Sequence, residues 1–204
     1  MTDTVSLQQE VLQMGLRERK KRLVQATIEE TALRLFQQHG YDQTSIQDIA
    51  DVVMMSPRTF FRYFASKEDI LFAPTQALMN DGIRYIQSMP PTEKPLPALT
   101  ATFLYIASQY EKRKDTFMIR YQVAKETPQL ASMYLYSLVS MESAICDALC
   151  SRLETATNRQ DMHFLVAICM AALRVAFEIW LEQEARGDIV ALVRENLERL
   201  SSLA

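Results

Sequence analysis

Apolar positions recur at three- and four-residue intervals through most of this chain, the period of helices that bury one face. Leu23, Ala26, Thr27, Ala32, Leu33, Leu35 and Phe36 mark the inner face of a first helix over residues 16–39. Gly40 follows it as a residue that tolerates the left-handed backbone of a helix end, and His39 sits in the last turn against the negative end of the dipole. Ile46, Ile49, Ala50 and Val53 give a short second helix near 46–53, capped by Thr44 or Ser45. A third, near 57–63, opens with Ser56 and Pro57: the serine hydroxyl caps it, and proline suits a first position where no N–H is needed. Helices this short do not stand alone in water and must pack on the longer one before them, with Phe60 and Phe64 as core anchors.

A fourth helix is expected over 67–87, with Ser66 as its cap, and then a loop over 89–97 that holds four prolines in nine residues. Further helices follow near 97–112, 115–125, 128–155, 160–185 and 188–202, with breaks at 125–128, at 155–161 and at Gly187-Asp188. No internal repeat or low-complexity segment is visible. The expected fold is all-α: an N-terminal arm and three-helix helix-turn-helix domain over 1–66, and a larger helical domain over 67–204.

Composition agrees, since only four glycines occur and 49% of the residues are hydrophobic, enough to bury a sizeable core. A membrane span is not expected, because even Met162–Trp180 carries His163, Arg174 and Glu178. Residues 1–14 are polar and lack the apolar core of a signal peptide, and Cys146, Cys150 and Cys169 show no metal-ligand spacing. A cytoplasmic protein with no metal and no cofactor is expected. Cys146 and Cys150 stand one turn apart with parallel Cβ vectors, a poor geometry for a disulfide.

Net charge is −3, yet it is uneven: residues 17–67 hold nine Lys and Arg against six Asp and Glu, or +3, which leaves −6 for the rest. A basic head on an acidic body suits a nucleic-acid reader with a separate sensing domain. The third helix would expose Arg58, Thr59, Arg62 and Tyr63, groups able to meet phosphates and base edges. Arg58, near its start, can reach guanine O6 and N7 bidentately, and Thr59 a thymine methyl or a phosphate, whereas Phe61 offers apolar contact alone. The bland alternative for Arg58 and Arg62 is a solvated helix surface. Arg17, Arg19, Lys20, Lys21 and Arg22 could track a DNA backbone or minor groove, or form a plain charged end.

The run from about Arg19 to Leu71 resembles the DNA-binding domain of the TetR family of transcriptional regulators. The matching residues are Ala32, Phe36, Gly40, Tyr41, Thr44, Ile46, Asp48-Ile49-Ala50, Ser56, Thr59-Phe60, Arg62-Tyr63-Phe64 and Ser66-Lys67-Glu68-Asp69. They cover about the first third of the chain; the remainder is similar only in length and helical character. The resemblance implies a DNA-contacting set of Thr44, Ser56, Pro57, Arg58, Thr59, Phe61, Arg62, Tyr63 and Lys67, with Thr44, Tyr63 and Lys67 at phosphates. One departure stands out. The turn between the two short helices is usually closed by Ala-Gly, the glycine at positive φ; Val53-Met54 occupies it here, and methionine in that region costs on the order of 1 kcal/mol.

In the second domain Phe103, Met118, Tyr121, Tyr136, Met141 and Met170 could line a pocket for a hydrophobic small molecule or simply form core. Arg120 and Arg174, with Glu142 and Glu178, are charges on apolar helices and need partners: an ion pair, a second subunit or a ligand. His163 reads as a surface or packed histidine. Phe164, Ile168, Val175 and Ile179, with Ile189, Val193, Leu197 and Leu200, form broad stripes on the last two helices that a second copy could cover as a four-helix bundle. The resemblance implies the same homodimer. The expectation is therefore a dimeric, ligand-responsive repressor on a palindromic duplex. The alternative is a helical binding protein whose reader has decayed, with Val53-Met54 as its one argument. No glycine-rich phosphate loop, nucleophile elbow or metal spacing supports an enzyme.

Overall fold

The computed structural model describes residues 15–153 and 158–202. Among them run nine helices and no strand: α1 (Leu16–His39), α2 (Ile46–Val52), α3 (Pro57–Phe60), α4 (Lys67–Gln87), α5 (Pro95–Glu111), α6 (Lys114–Glu126), α7 (Pro128–Ser151), α8 (Arg159–Glu182) and α9 (Ile189–Ser202). The chain divides into two units, Met1–Leu71 and Phe72–Ala204, so α4 begins in the first and continues into the second. The polar N-terminal segment 1–14, and part of the expected break at 155–161, lie outside the described residues.

In the first unit, Ile28, Ala32, Leu33, Leu35 and Phe36 of α1 are buried, as are Ile49, Ala50, Phe60, Phe64, Ile70 and Leu71. Leu23, Ala26 and Thr27, expected on the inner face of α1, are exposed. The reason is length: α2 and α3 have seven and four residues, about 10 and 6 Å at 1.5 Å each, and reach only the last turns of a 24-residue helix. Gly40 closes α1 at φ 87° and ψ 154°, a region nearly reserved for glycine, and its N–H bonds the Phe36 carbonyl.

The turn between α2 and α3 keeps its shape without glycine. Met54 lies at φ 53°, its N–H bonds Asp51 O at 3.1 Å, and the Met55 N–H bonds Ala50 O at 2.9 Å. This pair of bonds is a Schellman closure with methionine at the left-handed position. Beyond α3 the helix tightens: the N–H groups of Arg62 and Tyr63 bond the carbonyls of Thr59 and Phe60 three residues back, so regular helix ends at Phe60 and not at residue 63.

The second unit is built on one core. α8 packs on α5, α7 and α9, and α9 packs on α5 as well. Trp180 is fully buried, its indole N–H donating to Gly187 O at 2.8 Å. α4 comes close to α5 at Gly82, where a Cβ would lie 2.6 Å from Ile106 Cδ1. Two prolines expected in a loop, Pro95 and Pro97, instead lie in the first turn of α5, Pro95 at its first position. Gly187 does not end α8; Glu184 closes it at φ 55°, and Asp188 caps α9 through the Ala191 N–H at 3.0 Å.

One expectation needs correction here, and so does the composition argument behind another. By length and composition alone α8 is apolar enough to cross a membrane. Val166, Cys169, Leu173, Ala176, Phe177 and Trp180 are nevertheless buried among its neighbours, as in a core helix. The apolar face of α9 is also not left open: Ile189, Val193 and Leu197 are buried within the single chain, because α5 supplies the second neighbour that the stripe required.

Candidate nucleic-acid interface

Local capping sets the reader helix. Ser45 caps α2 in a reciprocal box with Asp48, whose carboxylate is held below its ordinary value by the Ser45 hydroxyl and N–H. Ser56 caps α3, its hydroxyl accepting the Thr59 N–H at 3.1 Å, with Pro57 behind it. Ser66 caps α4 by accepting the Asp69 N–H at 3.2 Å. Phe60 and Phe64, one turn apart, then fasten α3 to the core, at ring centroids 6.0 Å apart.

With those two rings inward, the opposite face carries Arg58, Phe61 and Arg62, all exposed, at helical spacing three and four. Ser56 is also exposed, while Pro57, Thr59 and Tyr63 are half-buried. The Arg62 guanidinium lies 5.7 Å from the Tyr63 ring centre, and Phe61 meets Phe60 edge-on at 5.7 Å.

Two residues nominated for DNA turn inward. Thr44 is buried, and its hydroxyl donates to Gly40 O at 2.8 Å, so Ser45 alone performs the cap. Lys67 directs its ammonium at the carbonyls of Tyr41, 2.9 Å away, and Thr44, 2.7 Å away, and lies 4.3 Å from the Tyr41 ring centre. A phosphate would have to compete with both carbonyls for that cation. Tyr41 in turn donates its hydroxyl to Glu68 at 2.5 Å; burial, then this bond, push the phenol well above its ordinary range. Gln25 donates to Tyr63 O at 3.4 Å, a tie between α1 and the end of the reader helix that no sequence pattern announces.

A groove of about 590 Å³ also lies in this unit, lined by Leu35, His39, Gln43, Thr44, Asp48, Asp51 and Val52. Its two carboxylates disfavour a phosphate backbone. The basic residues Arg17, Arg19, Lys20, Lys21 and Arg22 are all exposed on α1.

In the second unit the nominated ligand residues separate. Phe103, Met141 and Met170 are core, Met118 and Tyr121 are half-buried, and Tyr136 is 76% exposed, which corrects its place in a pocket lining. Arg120 is buried; its guanidinium donates to Thr116 O at 3.2 Å and lies 5.7 Å from the Phe117 ring centre, and burial lowers it to about 10. Arg174 pairs with Glu178 at 2.7 Å, and His163 with Glu142 at 3.0 Å. Tyr110, unremarked in the sequence, is the hub of an aromatic group, 4.0 Å from Phe117 and 4.2 Å from Phe177 between ring centres. Three separate helices supply those rings, so spacing along one helix could not reveal them. The three cysteines are free thiols, and no metal-binding cluster occurs among the described residues.

For the proposed subunit contact, Phe164 is 69% exposed, Val175 is exposed, and Ile168, Ile179 and Leu200 are half-buried. Ile189, Val193 and Leu197 belong to the chain's own core and leave that list.

A capped short helix held by two inward phenylalanines, with two guanidiniums and a phenyl outward, defines a helix-turn-helix protein of the DNA-reading class. Residues 28–73 match the model described as bacterial regulatory proteins, tetR family, and residues 93–203 match the MftR C-terminal domain. The transcriptional regulator TcmR of Streptomyces glaucescens is 31% identical over 94% of this chain and 87% of its own length. The chain belongs to the tetR family of bacterial transcriptional regulators. Its fold is shared with Thermus thermophilus FadR, crystallised with lauroyl-CoA, at TM-score 0.53 and 18% identity, covering 85% of this chain and 91% of that one. A transcriptional regulator from Aquifex aeolicus is similar at TM-score 0.56 and 16% identity, over 88% and 99% of the two chains.

Proposed function

We propose that this regulator acts in the cytoplasm as a homodimeric repressor, reading a palindromic duplex with α3 and releasing it when a hydrophobic small molecule binds the second unit. The observation that carries the reading is the outward set of Arg58 on α3 with Phe61 and Arg62 in the tightened turn that follows it, fixed from behind by Phe60 and Phe64. Arg58 reads a base edge, Arg62 and Tyr63 meet backbone, and Ser56, Pro57 and Thr59 hold the helix start against it. Reader domain 1–66 and regulatory domain 67–204 divide these roles, with α4 as the link between them.

The dimer forms through α8, where Phe164 and Val175 are exposed and Ile168 and Ile179 are partly so. Two-fold symmetry then sets the reader helices about 34–36 Å apart for half-sites one turn apart. Support for an effector comes from the aromatic group around Tyr110 and from the buried cation of Arg120. A relative of the same fold was crystallised with an acyl thioester, which points to an apolar ligand with a polar end. An effector works only by binding one conformation more tightly than the other.

Selection of bound duplexes from a random pool tests the reading. A recovered palindrome whose affinity falls steeply with salt supports it, and failure to enrich any sequence overturns it. The decayed-reader alternative loses its one argument, since Met54 sustains the turn that glycine usually closes.

A further inference from the structure

We propose that Cys146 and Cys150 of α7 form a dithiol site for a monosubstituted trivalent arsenical, which bridges the two sulfurs through one arsenic atom. The site lies in the second unit and is independent of the regulator reading. Both cysteines are free thiols, four residues apart on one face of α7. Cys146 is fully buried in the core and Cys150, one turn on, is half-buried, so the pair has one open side. Asp147, next to Cys146, pairs with Arg159 of α8. Burial, then the Cys150 thiol, push the Cys146 thiol up, and the Arg159 cation acts against them.

Cβ atoms one helical turn apart lie about 5–6 Å from each other, against about 3.5–4.5 Å in a disulfide. The pair is thus too wide for a direct S–S bond. An inserted atom replaces that one bond of about 2.05 Å with two of about 2.3 Å, the Zn–S length, and spans the gap. A structural zinc ion would need four ligands. No metal-binding cluster of three occurs among the described residues, and Cys169 lies ten residues beyond Arg159 on α8, about 15 Å along the axis. The occupant must therefore be soft and satisfied by two sulfurs. Trivalent arsenic with one carbon substituent meets both conditions, since it carries two exchangeable hydroxyls. The Cys150 thiolate, on the open side, attacks arsenic first, and Cys146 then closes the ring. Two As–S bonds form and two As–O bonds break. The thiol protons leave with the hydroxyls as two waters, and neither arsenic nor sulfur changes oxidation state.

The test incubates the full-length protein with phenylarsine oxide, which hydrates to the dihydroxide in water, then with excess monothiol, and reads the intact mass. Wild type and Cys169→Ala should each retain one phenylarsenic group, which a small dithiol then removes. Cys150→Ser and Cys146→Ala should retain none, because loss of either sulfur removes the chelate and weakens binding about 10²–10⁴-fold. Cys150 is only half-buried, so Cys150→Ser decides the matter if Cys146→Ala fails to fold. Retention by either folded α7 variant equal to that of wild type, or no retention by wild type, overturns the inference. Neither result bears on duplex binding, whose own test is the selection of bound sequences.

Discussion

Met54 holds a left-handed backbone with its side chain 93% exposed, so it carries the strain of that conformation and contributes little packing in return. Met54→Gly should therefore raise the stability of the reader by about 1 kcal/mol, read as a higher urea midpoint at unchanged slope. A lower midpoint would mean that methionine makes a contact the backbone argument leaves out. Glu68 gives a second residue-scale outcome. Burial alone would raise its carboxyl, but hydrogen bonds from Tyr41 and Ser66 outweigh it and hold the group below its ordinary 4.5. A depressed folded value stabilises above 4.5 and loses that stabilisation as pH falls through the folded value. Wild type should exceed Glu68→Gln by about 1 kcal/mol at pH 7, with the gap closing below pH 4.5 in denaturant titrations. At this scale, caps were legible in the sequence because Ser45, Ser56 and Ser66 each act on the N–H group three residues ahead. The inward hydrogen bonds of Thr44 and Lys67 were not legible because their carbonyl partners belong to other segments: Gly40 precedes α2, and Tyr41 lies 26 positions before Lys67.

Helix positions follow from apolar periodicity, and all nine described helices lie where the pattern predicts them, with ends shifted by a few residues. What periodicity cannot give is the number of neighbours a stripe will meet. α9 looked open to a second subunit because its contact with α5 joins elements far apart in sequence. α8 is the converse, since Phe164 and Val175 stay exposed beside a buried face that ends in Trp180. If α8 is the subunit contact, the double substitution Phe164→Glu with Val175→Glu should yield folded monomers by analytical ultracentrifugation, since neither side chain supports the chain's own core. A dimer unaffected by both charges would place the contact elsewhere. α4 carries Pro74 just past the boundary between the two units, so the Ile70 carbonyl receives no helical N–H there.

Taken whole, the chain joins a basic segment over 17–67 to an acidic remainder. The family was legible in about a third of the residues, those whose capping, turn and core roles leave little freedom. The second unit was legible only as helices, because the aromatic group of Tyr110, Phe117 and Phe177 is assembled from three of them. The central claim is that the outward face of α3 reads a duplex. Its most direct measurement is the affinity of Arg58→Ala, Arg62→Ala and the double variant for a selected palindrome over a series of salt concentrations. Arg58→Ala should lose about 1–3 kcal/mol and relax the preference at one base pair, whereas Arg62→Ala should weaken all sequences alike and lower the salt slope by about 1. Wild-type affinity in the double variant, with folding intact, would contradict the account.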